Sequence, residues 1–336
     1  AFAPPVQAFN FPAQHFRMGE QEDDSSSPPS PAAPAGASQE DGARVKVLAP
    51  SGQDRANTLA FSPDGSLLAV GSSLGIYLFD ASSLEELTFN ETETWVRSIS
   101  FSPDGQTLVF DLLGDLYTMP VTGGKATPLT QGMAYDVQPR FSPDGKKVVF
   151  VSDRSGGDNV WIMSLDKKDT TQVTKGNNNL YVSPEWMPDG KYVVASRSGG
   201  LGGTSKLWMY HVDGGTGVPL NMQPAPAPTQ KQIGAAFGKD SRYLWFARRT
   251  GDWQYNAIGP QYQLAVWDRD NGRVSQMTTR FGSGARPTLS PDGKWLVYVK
   301  PFGTKAGLIL RNLETQQGEG VAFPGQRDDM ETRAPM

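Results

Sequence analysis

The chain has 336 residues, 38% hydrophobic and 10% aromatic, enough for a sizeable core in one large domain or two ordinary ones. Thirty-one basic against 35 acidic side chains give a net charge of −4, so nothing marks the whole molecule as a nucleic-acid binder. Cysteine is absent, which excludes disulfides and thiolate metal sites without fixing the compartment, and no apolar run approaches the roughly 18 residues of a membrane span.

Residues 1–43 differ from the rest. Gly19–Gly42 is almost entirely Pro, Ser, Ala, Gly and acid, with little to bury, so a disordered tail is predicted. Such a tail either spaces the following domain from an anchor or has no role of its own. Residues 44–325 form the predicted folded domain, and 326–336 read as the start of a further blade or a linker to a following domain. Ala43–Leu48, "ARVKVL", is the first predicted strand.

From Phe61 the sequence becomes periodic. "FSPDG" stands at Phe61–Gly65, Phe101–Gly105 and Phe141–Gly145. Variants follow as "WMPDG" (Trp186–Gly190), "FGKDS" (Phe237–Ser241) and "LSPDG" (Leu289–Gly293). The aligned aspartates, 64, 104, 144, 189, 240 and 292, are separated by 40, 40, 45, 51 and 52 residues. A period of roughly 40–45 residues with growing insertions is that of a propeller, each repeat being one four-stranded blade.

Every repeat carries four short runs rich in Val, Ile and aromatics, split by Gly, Asp and Pro, which is strand and hairpin chemistry. The first run ends at the motif and the second follows it. The third carries Tyr77, Tyr117, Trp161, Trp208, Ala265 or Ile309 at one matching position, and the fourth closes the unit. Ser-Pro-Asp-Gly suits a tight turn, with Pro presetting φ, Asp bonding locally and Gly closing the turn. The Phe before it is expected to plug the gap between blades. Six turns predict an all-β, six-bladed propeller.

These residues resemble the TolB-type propeller repeat, related to WD repeats, over roughly Val45–Phe323. Leu112–Gly132, Gln138–Met163 and Arg327–Met336 look like the propeller half of bacterial amidohydrolase-related proteins. That resemblance implies a metal-dependent hydrolase domain beyond Met336 and an exported setting, periplasmic or extracellular. The first unit, Asn57–Leu87, looks more like an ordinary WD-type blade and departs from that pattern. WD-type rings commonly close with an N-terminal strand, the place Val45–Leu48 would take. Gly320–Phe323, however, reads as the sixth blade's own fourth strand. Both hold if a seventh blade begins at Glu331–Met336, in which case blades one and six meet imperfectly here.

Catalytic chemistry is sparse. An amidohydrolase centre needs several His ligands, and the chain has only His15 and His211, so no metal or other cofactor is expected in this chain. Gly71–Gly75 matches G-x-S-x-G but joins two predicted strands, and a nucleophile elbow must lead into a helix. Ser198–Lys206 is expected to be a hairpin tip, and Ser152–Asn159 lacks the acids of a calcium loop.

Two surfaces remain as binding candidates. The insertion Arg248–Gln263 brings Trp253, Tyr255 and Tyr262 beside Arg248 and Arg249, residue types enriched at binding hot spots, unless they pack on their own loop. Arg97, Asp136, Arg140, Glu185 and Arg286 fall at the starts of first strands, at the channel mouth, where they either grip a ligand or form a solvated lining. The expected function is a non-catalytic scaffold for a protein or peptide partner. The alternative is the accessory propeller of a covalently linked C-terminal hydrolase domain.

Overall fold

Each Ser-Pro-Asp-Gly stretch forms the same closed loop. The Ser62 N–H donates to the Leu67 carbonyl and the Gly65 N–H to the Ser62 carbonyl, both at 2.9 Å. The Ser62 hydroxyl donates to Asp64 and accepts the Leu67 N–H. Ser102, Ser142 and Ser290 repeat the pattern with Asp104, Asp144 and Asp292. In the fourth repeat Met187 replaces the serine, so only the backbone bonds and the Asp189 contact to the Lys191 N–H remain. Gly145 sits at φ +70°, and a Cβ there would lie 3.2 Å from Pro103 Cδ of the preceding repeat, so glycine is required twice over.

The computed structural model describes residues 45–47 and 56–322, except 84, 93–95, 200–203, 221–228, 239–240, 251–261, 279–284, 303–304 and 315–317. All described regular structure is β, and among the described residues no helix is long and apolar enough to cross a membrane. The first strand is β1 (Val45–Val47). Blade one is β2 (Ala56–Phe61), β3 (Leu67–Ser72), β4 (Gly75–Asp80) and β5 (Glu86–Glu91). Blade two is β6 (Ile99–Phe101), β7 (Thr107–Leu112), β8 (Asp115–Pro120) and β9 (Thr127–Pro128). Blade three is β10 (Asp136–Phe141), β11 (Lys147–Ser152), β12 (Asn159–Ser164) and β13 (Thr170–Gln172). Blade four is β14 (Asn179–Trp186), β15 (Tyr192–Gly199), β16 (Ser205–His211) and β17 (Val218–Pro219). Blade five is β18 (Thr229–Phe237), β19 (Tyr243–Thr250), β20 (Tyr262–Asp268) and β21 (Arg273–Gln276). Blade six is β22 (Ala285–Leu289), β23 (Trp295–Phe302), β24 (Lys305–Asn312) and β25 (Gly318–Ala322). Each blade is an antiparallel meander in sequence order.

The repeat register is kept throughout. Tyr77, Tyr117, Trp161, Trp208, Ala265 and Ile309 pair with Val70, Phe110, Phe150, Ala195, Phe246 and Tyr298 at one equivalent position. Motif aromatics fill the seams between blades. Phe101 packs with Leu78 and Ile76 of blade one, and Trp186 with Val149 and Val160 of blade three. Burying a side chain of this size contributes about 1.5–3 kcal/mol.

The ring closes at six. Blade one's Leu59, Phe61 and Tyr77 share a core with Val297 and Leu310 of blade six. The inner strands touch in sequence round a channel, and β22 returns to β2. A Cβ on Gly65 would face Pro291 Cδ at 3.9 Å, the same contact that Gly105, Gly145 and Gly190 would make with Pro63, Pro103 and Pro143. β1 adds parallel to β25 as a fifth strand of blade six, Val45 opposite Gly320. Val45–Val47 thus pairs at the outer edge of blade six, and the imperfect meeting expected of blades one and six is not found. Residues 1–43 and 323–336, including the start of a seventh blade expected at Glu331–Met336, lie outside the described residues.

Candidate functional site

The inner strands are regular at the turn end and broken at the other. In β10, β14, β18 and β22 the pairing register slips at Gln138-Pro139, Ser183-Pro184, Gly234-Ala235 and Arg286-Pro287. The first residue of each pair has a left-handed φ of 59°, 53°, 68° and 51°. These are bulges, and the prolines suit them because they bring no N–H that a broken ladder would leave unpaired. For Gln138, Ser183 and Arg286 the conformation costs on the order of 1–3 kcal/mol each.

Side chains from the preceding blade hold the bulges of blades three and four. Asp111, 2% exposed, accepts the Arg97 and Ser98 N–H groups on Oδ1 and the Gln138 N–H on Oδ2, at 2.8–3.1 Å. Burial pushes its pKa up, against the pull of those three donors. Gln138 Oε1 then accepts the Ser183 N–H at 2.6 Å. One buried carboxylate thus fixes the mouth ends of two inner strands.

The six inner strands enclose a cavity of about 320 Å³. Its ionisable lining is Arg97, Arg140, Glu185 and Arg286, a positive balance inside an acidic chain. Arg140 ties three blades together. Its Nε bonds Glu185 Oε2 at 3.3 Å, and its Nη1 donates to Ser98 Oγ at 2.5 Å and to the Ile99 carbonyl at 3.0 Å. Burial raises the Glu185 pKa, and Arg140 opposes the rise. Arg97 is exposed, lies over the Tyr135 ring and bonds its hydroxyl.

Asp136 does not face this cavity. It is 2% exposed and makes a bidentate pair with Arg154, both contacts at 2.7 Å, while Arg154 lies over Phe150 and Trp161. Adjacent on the chain, the Tyr135 N–H donates to Asp153, and the Asp136 N–H to the Gly114 carbonyl. The start of blade three is thereby turned into the neighbouring hairpins.

The insertion of blade five is only partly described. Arg248 and Arg249 lie in β19 and are half-buried, with Arg248 Nη2 on Gln276 Oε1 at 2.7 Å. Tyr262 opens β20 and is 4% exposed within the core between blades five and six, so it presents no surface. Trp253 and Tyr255 lie outside the described residues.

The other sequence motifs serve hairpins. Ser72 of the G-x-S-x-G match donates to the Gly75 carbonyl and accepts the Leu74 and Gly75 N–H groups. In Ser152–Asn159, buried Asn159 donates to the Gly157 and Gly176 carbonyls and accepts from Thr174. His211 ends β16 edge-on to Tyr192 and 3.4 Å from Asp213. Among the described residues no group of three or more His, Asp or Glu side chains is placed to hold a metal ion.

Sequence reasoning missed the apolar rim. The blade-two hairpin tip carries Leu113, 80% exposed at φ +56°, beside Gly114, whose hydrogen face packs on the Tyr135 ring. Met133 and Tyr135, in the crossing to blade three, are exposed, as is Leu74 at the blade-one tip. The available signal was Leu-Gly, twice, where a hairpin tip normally takes a polar residue before glycine.

A closed ring of six blades, each a four-stranded antiparallel meander and the sixth extended by β1, around an arginine-lined channel defines the molecule as a β-propeller. Residues 36–222, more than half of the chain, match the TolB beta propeller domain family, PD40, and the chain belongs to that family. A protein described as a TolB of Agrobacterium tumefaciens superposes with a TM-score of 0.61 at 22% identity, over 74% of this chain and 90% of that one. TolB of Acinetobacter baumannii gives 0.55 at 18%, over 78% and 64%. An oligogalacturonate lyase in complex with manganese gives 0.55 at 15%, over 82% and 79%. At these identities the likeness is one of fold. No curated protein matches the chain.

Proposed function

We propose that the chain is a non-catalytic binding module that grips a segment of a partner protein at the bulged mouth of its channel. The observation that carries this reading is the channel itself: strained, braced inner strands around an arginine-rich opening, in a protein whose other polar motifs are consumed by hairpins. Non-glycine residues are held left-handed before proline on three inner strands, those of blades three, four and six, and such strain clusters where ligands are clamped. Selection of a displayed random peptide library on the immobilised chain tests it. Binders are expected to lose affinity for Ser100→Trp, which fills the channel from β6. Binders indifferent to that substitution would refute the reading.

The resemblance of Leu112–Gly132 and Gln138–Met163 to propellers that precede a hydrolase supports a second reading. There the same channel mouth shapes access to a metal-dependent catalytic domain beyond Met336. The reading frame past Met336 decides it. A His-x-His pattern is expected on this reading, and an early stop codon removes it.

A further inference from the structure

The apolar rim and the arginines meet at one corner of the ring. Blade-one and blade-two hairpins both end in Leu-Gly. The Leu74 carbonyl accepts the Thr92 N–H, and the Ser72 carbonyl accepts the N–H of Val96, next to Arg97. Arg97 both lines the channel and stacks on Tyr135. Tyr135 in turn covers Gly114 beside Leu113, and Met133 stands two residues earlier with its side chain wholly exposed. Of the seven large hydrophobic side chains exposed among the described residues, Leu74, Leu113, Met133 and Tyr135 lie at this corner.

Neither feature is explained by folding. Leu113 occupies a left-handed position that Asn, Asp or Gly would take with less strain, and it is 80% exposed there. Arg97, among the described residues, has the Tyr135 hydroxyl and ring as its side-chain partners. That contact fixes the guanidinium as a planar fork at the channel edge, the geometry that suits a carboxylate.

We infer that the corner formed by Leu74, Leu113, Met133 and Tyr135 with Arg97 docks an extended acidic peptide segment of a partner protein, one bearing a large apolar side chain next to a carboxylate. The apolar side chain seats on the rim, and the carboxylate meets Arg97 at the entrance to a channel whose ionisable lining is three arginines and one glutamate already paired with Arg140. This rests on the channel-binding reading above and names the chemistry of the segment that enters. Charge complementarity decides the sign: an acidic segment finds its counter-charges at the mouth of a protein that elsewhere repels it.

The library peptides that lose binding on Ser100→Trp provide the probe. They are expected to share Leu, Met, Phe or Trp beside Asp, Glu or a free C-terminus. Leu113→Asp, Met133→Asp and Arg97→Glu should each weaken them by about tenfold or more. Replacing the peptide's acid by Lys should restore affinity for Arg97→Glu. Asp at 113 suits the left-handed backbone, and unchanged far-ultraviolet spectra and melting would show that the variants fold. Channel-dependent peptides that bind all three variants within about twofold of wild type, or that carry no acid, would overturn the inference and leave the channel reading standing. A library with no channel-dependent binder would overturn both.

Discussion

The two ends of the inner strands follow opposite rules. At the turn end, Ser, Pro, Asp and Gly satisfy one another within five residues, and the pattern survives even where Met187 removes the hydroxyl. At the mouth end of blades three and four, the bulge is satisfied by a neighbour. Gln138 needs Asp111 and Ser183 needs Gln138, each from the blade before. The difference teaches where sequence repetition is informative. Self-contained turns can be copied blade after blade, whereas a mouth built from inter-blade contacts must be written anew in each blade.

The largest expected effect tests the seams that both ends share. Phe101→Ala should cost about 3–5 kcal/mol, read as a lowered urea midpoint, because Phe101 is 7% exposed between blades one and two. A loss under about 1 kcal/mol would mean that the seam collapses without cost.

Asp111→Asn breaks the mouth without touching the turns. The amide would turn a donor toward the Gln138 N–H or abandon two others, so a loss of about 2–3 kcal/mol is expected in the same assay. Ser142→Ala is the matching test at the turn end. It removes the hydroxyl between Asp144 and the Lys147 N–H and should cost only about 1 kcal/mol, since the backbone bonds remain.

Leu113→Asn should move stability the other way, raising it by roughly 0.5–1 kcal/mol through relief of the left-handed backbone. A melting temperature that falls would show that Leu113 packs after all.

The smallest effect is acid sensitivity. Serine hydroxyls hold Asp104 and Asp144 below the usual carboxylate range. Their folded values lie below the unfolded one, near about 3.9, so their stabilisation is present above that pH and lost as pH falls through the folded values. Asp111, raised by burial, has the opposite sign: its ionisation weakens the fold as pH rises through the interval above the unfolded value. Asp104→Asn with Asp144→Asn should therefore flatten the drop in melting temperature between about pH 5 and about pH 3.

Most of the fold was legible because the turn chemistry is local. Each "FSPDG" names its own hairpin, and the matching third-strand position, aromatic in four blades, keeps one register across all six. The mouth was legible only as residue types near strand starts. Arg97, Arg140, Glu185 and Arg286 do line the channel, but Asp136 turns away to Arg154, a partner 18 residues on that no spacing rule selects. Asp111 reads as the ordinary end of a strand run, and its role emerges only when three distant N–H groups converge on it. Tyr262 read as a rim aromatic because the strand boundary could not be set to within a residue, and one residue decides whether a side chain faces core or solvent.

The Pro-on-Gly contact between successive turns has a bearing on how such a ring is inherited. Four turn pairs carry a plug, the proline of one blade, and a socket, the bare face of the next blade's glycine: Pro63 against Gly105, Pro103 against Gly145, Pro143 against Gly190, Pro291 against Gly65. The joint is head-to-tail, so nothing in it counts the blades; the ring ends where rotation brings the last plug to the first socket. A gene segment of one period that carries the Pro-Asp-Gly turn arrives with both halves of the joint already made, whereas the blade-five motif, Phe237–Ser241, carries neither. Gain or loss of such a blade thus leaves the turn end intact and confines the damage to the mouth, where Gln138 depends on Asp111 and Ser183 on Gln138.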